Sequence, residues 1–199
     1  MSKSDKPGSG ATRPVLVFAY GNPGRGDDAL GPELLTAIET QGYAGVECQC
    51  DMQLQVEHVM DLAGRAAILF VDADVSCAEP FVFERLGPEK DGSYTSHAMT
   101  PGALLHAFDQ VYGNDAPPAW MLRIRGYQFE LGDPMGELAA ANLAAAIELV
   151  KKLCSDHSGQ YWLQQLTGPD DAQGNSAPSA CRVAGCGGYT LPTMIEQTS

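Results

Sequence analysis

The chain is short of positive charge. Twelve Lys and Arg stand against 25 Asp and Glu in 199 residues, a net charge of −13. Such a surface repels phosphate, which argues against a nucleic-acid partner. It suits cations or basic peptide segments instead. Long apolar runs are also missing. No run approaches a membrane span, and Met1 to Gly10 holds no apolar core of signal-peptide length. The expected setting is the cytoplasm, away from membranes, with the six cysteines as thiols. Two hydrolase signatures are absent. There is no His-Glu-x-x-His pair, which argues against a thermolysin-like zinc protease, and no Gly-x-Ser-x-Gly elbow, which argues against a serine hydrolase. Cys154, His157, Cys181 and Cys186 lack the close-spaced cysteine pairs of a zinc site.

What is present begins at residue 15. Val15-Leu16-Val17-Phe18-Ala19-Tyr20 is an apolar run, followed by the glycine-rich turn Gly21-Asn22-Pro23-Gly24-Arg25-Gly26 and the acidic pair Asp27-Asp28. A glycine-rich turn after a first strand often cradles phosphate at a helix N-terminus. Two carboxylates at that spot repel a pyrophosphate, and the Gly-x-x-Gly-x-Gly spacing is not the dinucleotide pattern. The pair suits a cation, or the dipole of its own helix. One acid suffices for a helix cap, so one of the two is free for another task.

Periodicity predicts an alternation of strands and helices. Strands are expected at Pro14–Tyr20, Gly45–Cys50, Ala66–Asp72, Phe81–Arg85 (at an edge) and Trp120–Arg125. Helices are expected at Asp28–Thr40, from Val56 to about Gly64, at Pro101–Val111, and at Pro134–Leu153 with Leu138, Leu143, Ile147 and Val150 on the apolar side. Cys48 and Cys50 alternate and should share one face of their strand. The pattern predicts a three-layer α/β fold: a mostly parallel twisted sheet of about five strands with helices on both faces. Residues 1–12 read as a disordered lead, 13–154 as one α/β domain and 155–199 as a largely irregular extension. Within that extension, 168–199 is expected to be dispensable for folding.

Sites in such sheets gather beyond the carboxyl ends of the strands. Asp28 follows the first strand, Asp72 ends the third, and His97 lies in the polar loop before the Pro101 helix. Two carboxylates and an imidazole make a plausible divalent site for nickel, zinc or manganese. Each residue alone has an ordinary explanation: a cap, an ion pair, a loop histidine. Their common rim is what raises the metal reading. His58 and His106 sit at helical positions and offer less.

Gly21-Asn22, Asp27-Asp28-x-x-Gly31, Asp51 with Glu57, Val71-Asp72-Ala73 and Ser96-His97-x-x-x-Pro101-x-x-Leu104-Leu105 together resemble the maturation endopeptidases of nickel–iron hydrogenases. The resemblance covers about residues 14–153. It implies a protease domain of the aspartic or metal-dependent type, with Asp28, Asp72 and His97 as metal ligands and Asp51 beside them among the catalytic residues. Many members carry Glu where this chain has Asp28, one methylene shorter. The resemblance further implies removal of a C-terminal peptide from the hydrogenase large-subunit precursor after nickel insertion. The nickel is then carried by the substrate and bound transiently, no organic cofactor is needed, and the chain is expected as a monomer. Met52-Gln53 after Asp51, with Arg125-Gly126-Tyr127-Gln128-Phe129-Glu130, looks most like the proteases serving NAD-reducing hydrogenases. Two other readings share these residues: a nickel-binding chaperone without proteolysis, and a small-molecule-binding α/β module.

Overall fold

The computed structural model describes residues 14–90, 99–113, 116–156 and 159–167. Five strands form one sheet in the order β2-β1-β3-β5-β4, with β1 Val15–Tyr20, β2 Val46–Asp51, β3 Ala67–Asp74, β4 Phe81–Leu86 and β5 Ala119–Arg125. The first four positions in that order run parallel, and β4 closes the far edge antiparallel to β5. The helices are α1 Leu30–Gln41, α2 Pro101–Tyr112, α3 Glu137–Ser155 and α4 Gly159–Gln164. This is the three-layer α/β arrangement that the apolar runs predict.

Alternation along β1 and β3 divides the core in two. Val15, Val17, Ala19, Leu69 and Val71 face α1 and α3, while Leu16, Phe18, Ile68 and Phe70 face α2 and a 3-10 helix at Val56–Leu62. Every residue from Val15 to Ala19 is buried, as a strand covered on both sides requires. The sheet order reverses between β1 and β3, since β2 lies on one side of β1 and all later strands lie on the other. A crevice opens at the carboxyl ends of two strands at such a point.

Four expectations shift. The Val56–Leu62 segment is 3-10 rather than α, because its buried side chains, Val59 and Leu62, repeat every three residues. The helix expected from Asp28 begins as a 3-10 turn at Gly26–Ala29 and becomes α only at Leu30. Leu138, expected on the apolar side of α3, is exposed. The helix instead buries Ala139, Asn142, Ala146, Leu149, Val150 and Leu153, small residues near its start that allow close packing on α1 and the sheet. Finally, residues 159–167 pack on the domain, beyond the boundary drawn at 154. Trp162 of α4 is fully buried, stands edge-on to Trp120 at 4.8 Å, and its Nε1 donates to the carbonyls of Leu153 and Asp156. Thr167 exchanges hydrogen bonds with Phe83 of β4.

His97, His157, Cys181, Cys186 and the segment 168–199 lie outside the described residues. Cys48 is partly buried and Cys50 exposed on β2, and Cys154 is buried in α3, its thiol pushed up to about 12 by burial. No helix among the described residues is long and apolar enough to cross a membrane.

Candidate active site

The turn after β1 is built around two glycines. Gly21 has φ +143°, and a Cβ there would collide with the carbonyl oxygen of Asp28, so the turn folds back on itself only without a side chain. At Gly31 a Cβ would stand 2.8 Å from the Tyr20 carbonyl oxygen and 3.2 Å from that of Val71. The start of α1 is thereby seated against the ends of β1 and β3. Between them, Asn22 Oδ1 accepts the Gly24 N–H at 2.9 Å, and the Asn22 N–H donates to Asp28 Oδ2 at 2.9 Å.

Neither aspartate caps a helix; the 3-10 turn has no side-chain cap. Asp27 is wholly buried and points away from the crevice. Its Oδ2 accepts the N–H groups of Tyr127 at 2.7 Å and Gln128 at 3.1 Å, and its Oδ1 that of Gly136 at 2.8 Å. Further bonds run the same way: Asp27 N–H to the Gln128 carbonyl, Gly26 N–H to that of Asp133, and Gly132 N–H to that of Gly24. Asn142 of α3 donates to the Arg125 carbonyl and to the Tyr127 hydroxyl, both at 3.0 Å. The loop from β5 to α3 is strapped to the β1 turn, with Asp27 as the buckle. Asp28 is left as the acid of the pair that is free for the crevice.

Across the sheet, Asp51 of β2 pairs in register with Tyr20 of β1, and Ala19 pairs with Val71 of β3. Asp72 therefore follows opposite Tyr20, on the α2 side of the sheet. Asp51, Tyr20 and Asp72 form a row on three neighbouring strands about 4.8 Å apart. The Tyr20 hydroxyl donates to the Asp72 carboxylate, and the Ala73 N–H donates to Asp72 Oδ1 at 2.8 Å. Burial pushes the Asp72 carboxyl up to about 8, and the charges of Asp28 and Asp74 add to the shift against those two hydrogen bonds. An acid raised by burial and a like charge at the crevice of a sheet is a candidate functional group. Asp74, two residues on, is engaged elsewhere, with Arg123 at 2.8 Å.

The structure thus brings Asp28 and Asp72 into electrostatic contact and sets Asp51 two strands away on the same rim. Among the described residues, no three His, Cys, Asp or Glu side chains gather closely enough to hold a metal ion. The expected third ligand, His97, falls outside them, although α2 starts beside the rim: the Met99 N–H donates to the Leu54 carbonyl after β2, and Thr100 caps the helix through Ala103. Three residues escaped the sequence reading. Tyr20 carried a signal, since a tyrosine ending a buried strand places its hydroxyl at the rim. Asp27 as a buckle carried none, because its partners are backbone groups. His58, set aside as helical, lies with Nε2 3.3 Å from Asp51 Oδ2.

No family model matches the chain, and no curated protein matches it. Solved structures do. The nickel–iron hydrogenase maturation protease HycI from Thermococcus kodakarensis KOD1 superposes with a TM-score of 0.53 at 21% identity, over 74% of this chain and 96% of its own. The hydrogenase maturating endopeptidase HybD from E. coli gives 0.55 at 22% identity, over 71% and 92%. A further endopeptidase from E. coli gives 0.56 at 21% identity, over 73% and 93%. The chain has the fold of the nickel–iron hydrogenase maturation proteases. In this chain the β1 turn and the end of β3 meet where the strand order reverses, and Asp28 and Asp72 stand there.

Proposed function

We propose that this protein is an endopeptidase that removes the C-terminal peptide of a nickel–iron hydrogenase large-subunit precursor after nickel insertion. The observation that carries the reading is the pairing of Asp28 with a half-buried Asp72, whose carboxyl is raised by desolvation and further by the Asp28 charge, at the strand-order reversal of a maturation-protease fold. Nickel already seated in the substrate is the recognition signal. Asp28, Asp72 and His97 complete its coordination, which draws the Asp72 proton off as the cation arrives. Oxygen and imidazole donors suit that ion.

The nickel, as part of the substrate, fixes the precursor's tail beside the rim and polarises the scissile carbonyl. A water attacks the carbonyl carbon while a rim carboxylate, Asp51 in this reading, takes its proton. The C–N bond then breaks, and the same proton passes to the leaving amine. The Met52-Gln53 turn and segment 125–130, by their resemblance to the proteases serving NAD-reducing hydrogenases, support a substrate of that cytoplasmic class.

Incubation with nickel-loaded and nickel-free precursor tests this. Cleavage of the loaded form alone is expected. Binding of the loaded form without cleavage would replace the protease with a nickel chaperone, and indifference to both forms would remove the reading.

A further inference from the structure

We propose that His58 is a positioning residue for Asp51, fixing that carboxylate in the orientation in which it meets the water of hydrolysis. The inference rests on the endopeptidase reading above for the role of Asp51, and on geometry for the role of His58. Asp51 ends β2, and its side chain is 38% exposed at the rim. Oδ1 is turned back onto the Met52 N–H at 2.6 Å, and Oδ2 faces His58 Nε2 at 3.3 Å. The imidazole is itself held on two sides. Its Nδ1 accepts the Gln55 N–H at 3.0 Å, and its ring lies 4.7 Å from the Phe18 ring at 60°. Only 14% of the side chain is exposed.

These contacts decide the tautomer. An Nδ1 that accepts from the backbone cannot carry the proton, so in the neutral ring the proton sits on Nε2, the nitrogen that faces Asp51. A histidine serving only to start the 3-10 helix would need the Gln55 bond and nothing more. Here the opposite nitrogen is spent on a partly exposed carboxylate in the row that contains Tyr20 and Asp72. One end of the carboxylate then accepts the Met52 backbone N–H, and the other lies 3.3 Å from the ring nitrogen that carries the proton. Supporting donors of this kind set the orientation of a reacting group without touching the substrate.

The two ring nitrogens can be separated by substitution. His58→Asn offers an acceptor near the Nδ1 position and keeps the Gln55 bond, but loses the donor to Asp51. His58→Gln reaches further and places an N–H near the Nε2 position. We expect His58→Asn to melt like the wild type and to lose about 10- to 100-fold in kcat on nickel-loaded precursor with KM unchanged, and His58→Gln to recover most of that loss. In an Asp51→Asn background, His58→Asn should cost nothing further. Full activity in His58→Asn, or losses that multiply in the double variant, would overturn the proposal. An activity-independent readout keeps it separate from the function. Nitrogen NMR of the folded protein should show His58 protonated on Nε2, and a proton on Nδ1 overturns the pairing whether or not the precursor is cut. If the precursor is not cut by the wild type while Nε2 carries the proton, it is the endopeptidase reading that fails.

Discussion

Asp28 and Asp72 are like charges in one corner of the sheet, and burial adds to the cost of ionising Asp72. That cost has a sign that can be measured. A carboxyl raised in the folded state to about 8 is protonated there when the unfolded chain has already lost its proton. The stability it contributes is whole below about pH 4, declines as pH rises between about 4 and 8, and is gone above. Asp72→Asn removes the decline. This variant should melt several degrees above the wild type at pH 8, match it near pH 4, and lose cleavage, which thermal melts at the two pH values and a processing assay would show. Asp74 behaves in the opposite sense. Burial would raise it, but hydrogen bonds from Ser76 and the Arg123 guanidinium outweigh that and lower it. Its contribution is present above the unfolded value and lost as pH falls through the folded one, so Asp74→Ala should flatten the acid limb of the stability curve. Tyr20→Phe keeps the packing and removes the hydroxyl from Asp72. It should fold normally and weaken binding of nickel, with cadmium as a second probe in titration, by about 10- to 100-fold. Asp28 and Asp72 could be picked out from strand ends alone. Asp27 and His58 could not, because what they do depends on backbone donors and on which ring nitrogen faces which neighbour, and neither is written in residue type.

At the scale of elements, uninterrupted apolar runs mark β1 and β3, since burial on both faces demands Val, Leu, Ile and Phe, whereas the edge strands β2 and β4 are only partly buried and carry no such run. The short elements were harder. A six-residue helix such as α4 shows too few turns for a full period, so Tyr161, Trp162, Leu163 and Leu166 suggest no more than an amphipathic turn or two, and the depth of Trp162 is not announced. Trp162→Ala should cost about 3–5 kcal/mol, as large-to-small core substitutions of tryptophan do, and chemical denaturation would measure it. The strap between the β1 turn and the β5–α3 loop predicts a second loss. Asp27→Ala leaves three N–H groups without their acceptor in a buried place and should cost at least about 3 kcal/mol. Asp27→Asn recovers only part of this, since its amide brings donors to face donors.

For the whole molecule, the packed part of the C-terminal side extends past 154, to Thr167. Removal of 168–199 is expected to leave the melting temperature unchanged, whereas removal from 157 onward strips Trp162 from the core and the Thr167 bonds from Phe83, and should lower it sharply. Melting the two truncations side by side checks both. The strap also has a consequence for how the protein is made. The three donors to Asp27 lie 100, 101 and 109 residues downstream of it. A ribosome adding about 5–20 residues per second needs on the order of 5–20 s to supply them after the turn has emerged. Until then the turn that carries Asp28 is held only by its local bonds, among them those from Asn22 to Asp28 and from Gly24 to Asn22. A nascent or prematurely ended chain therefore has Asp27 and Asp28 but not the strap that holds their turn, which closes only once translation has passed the start of α3.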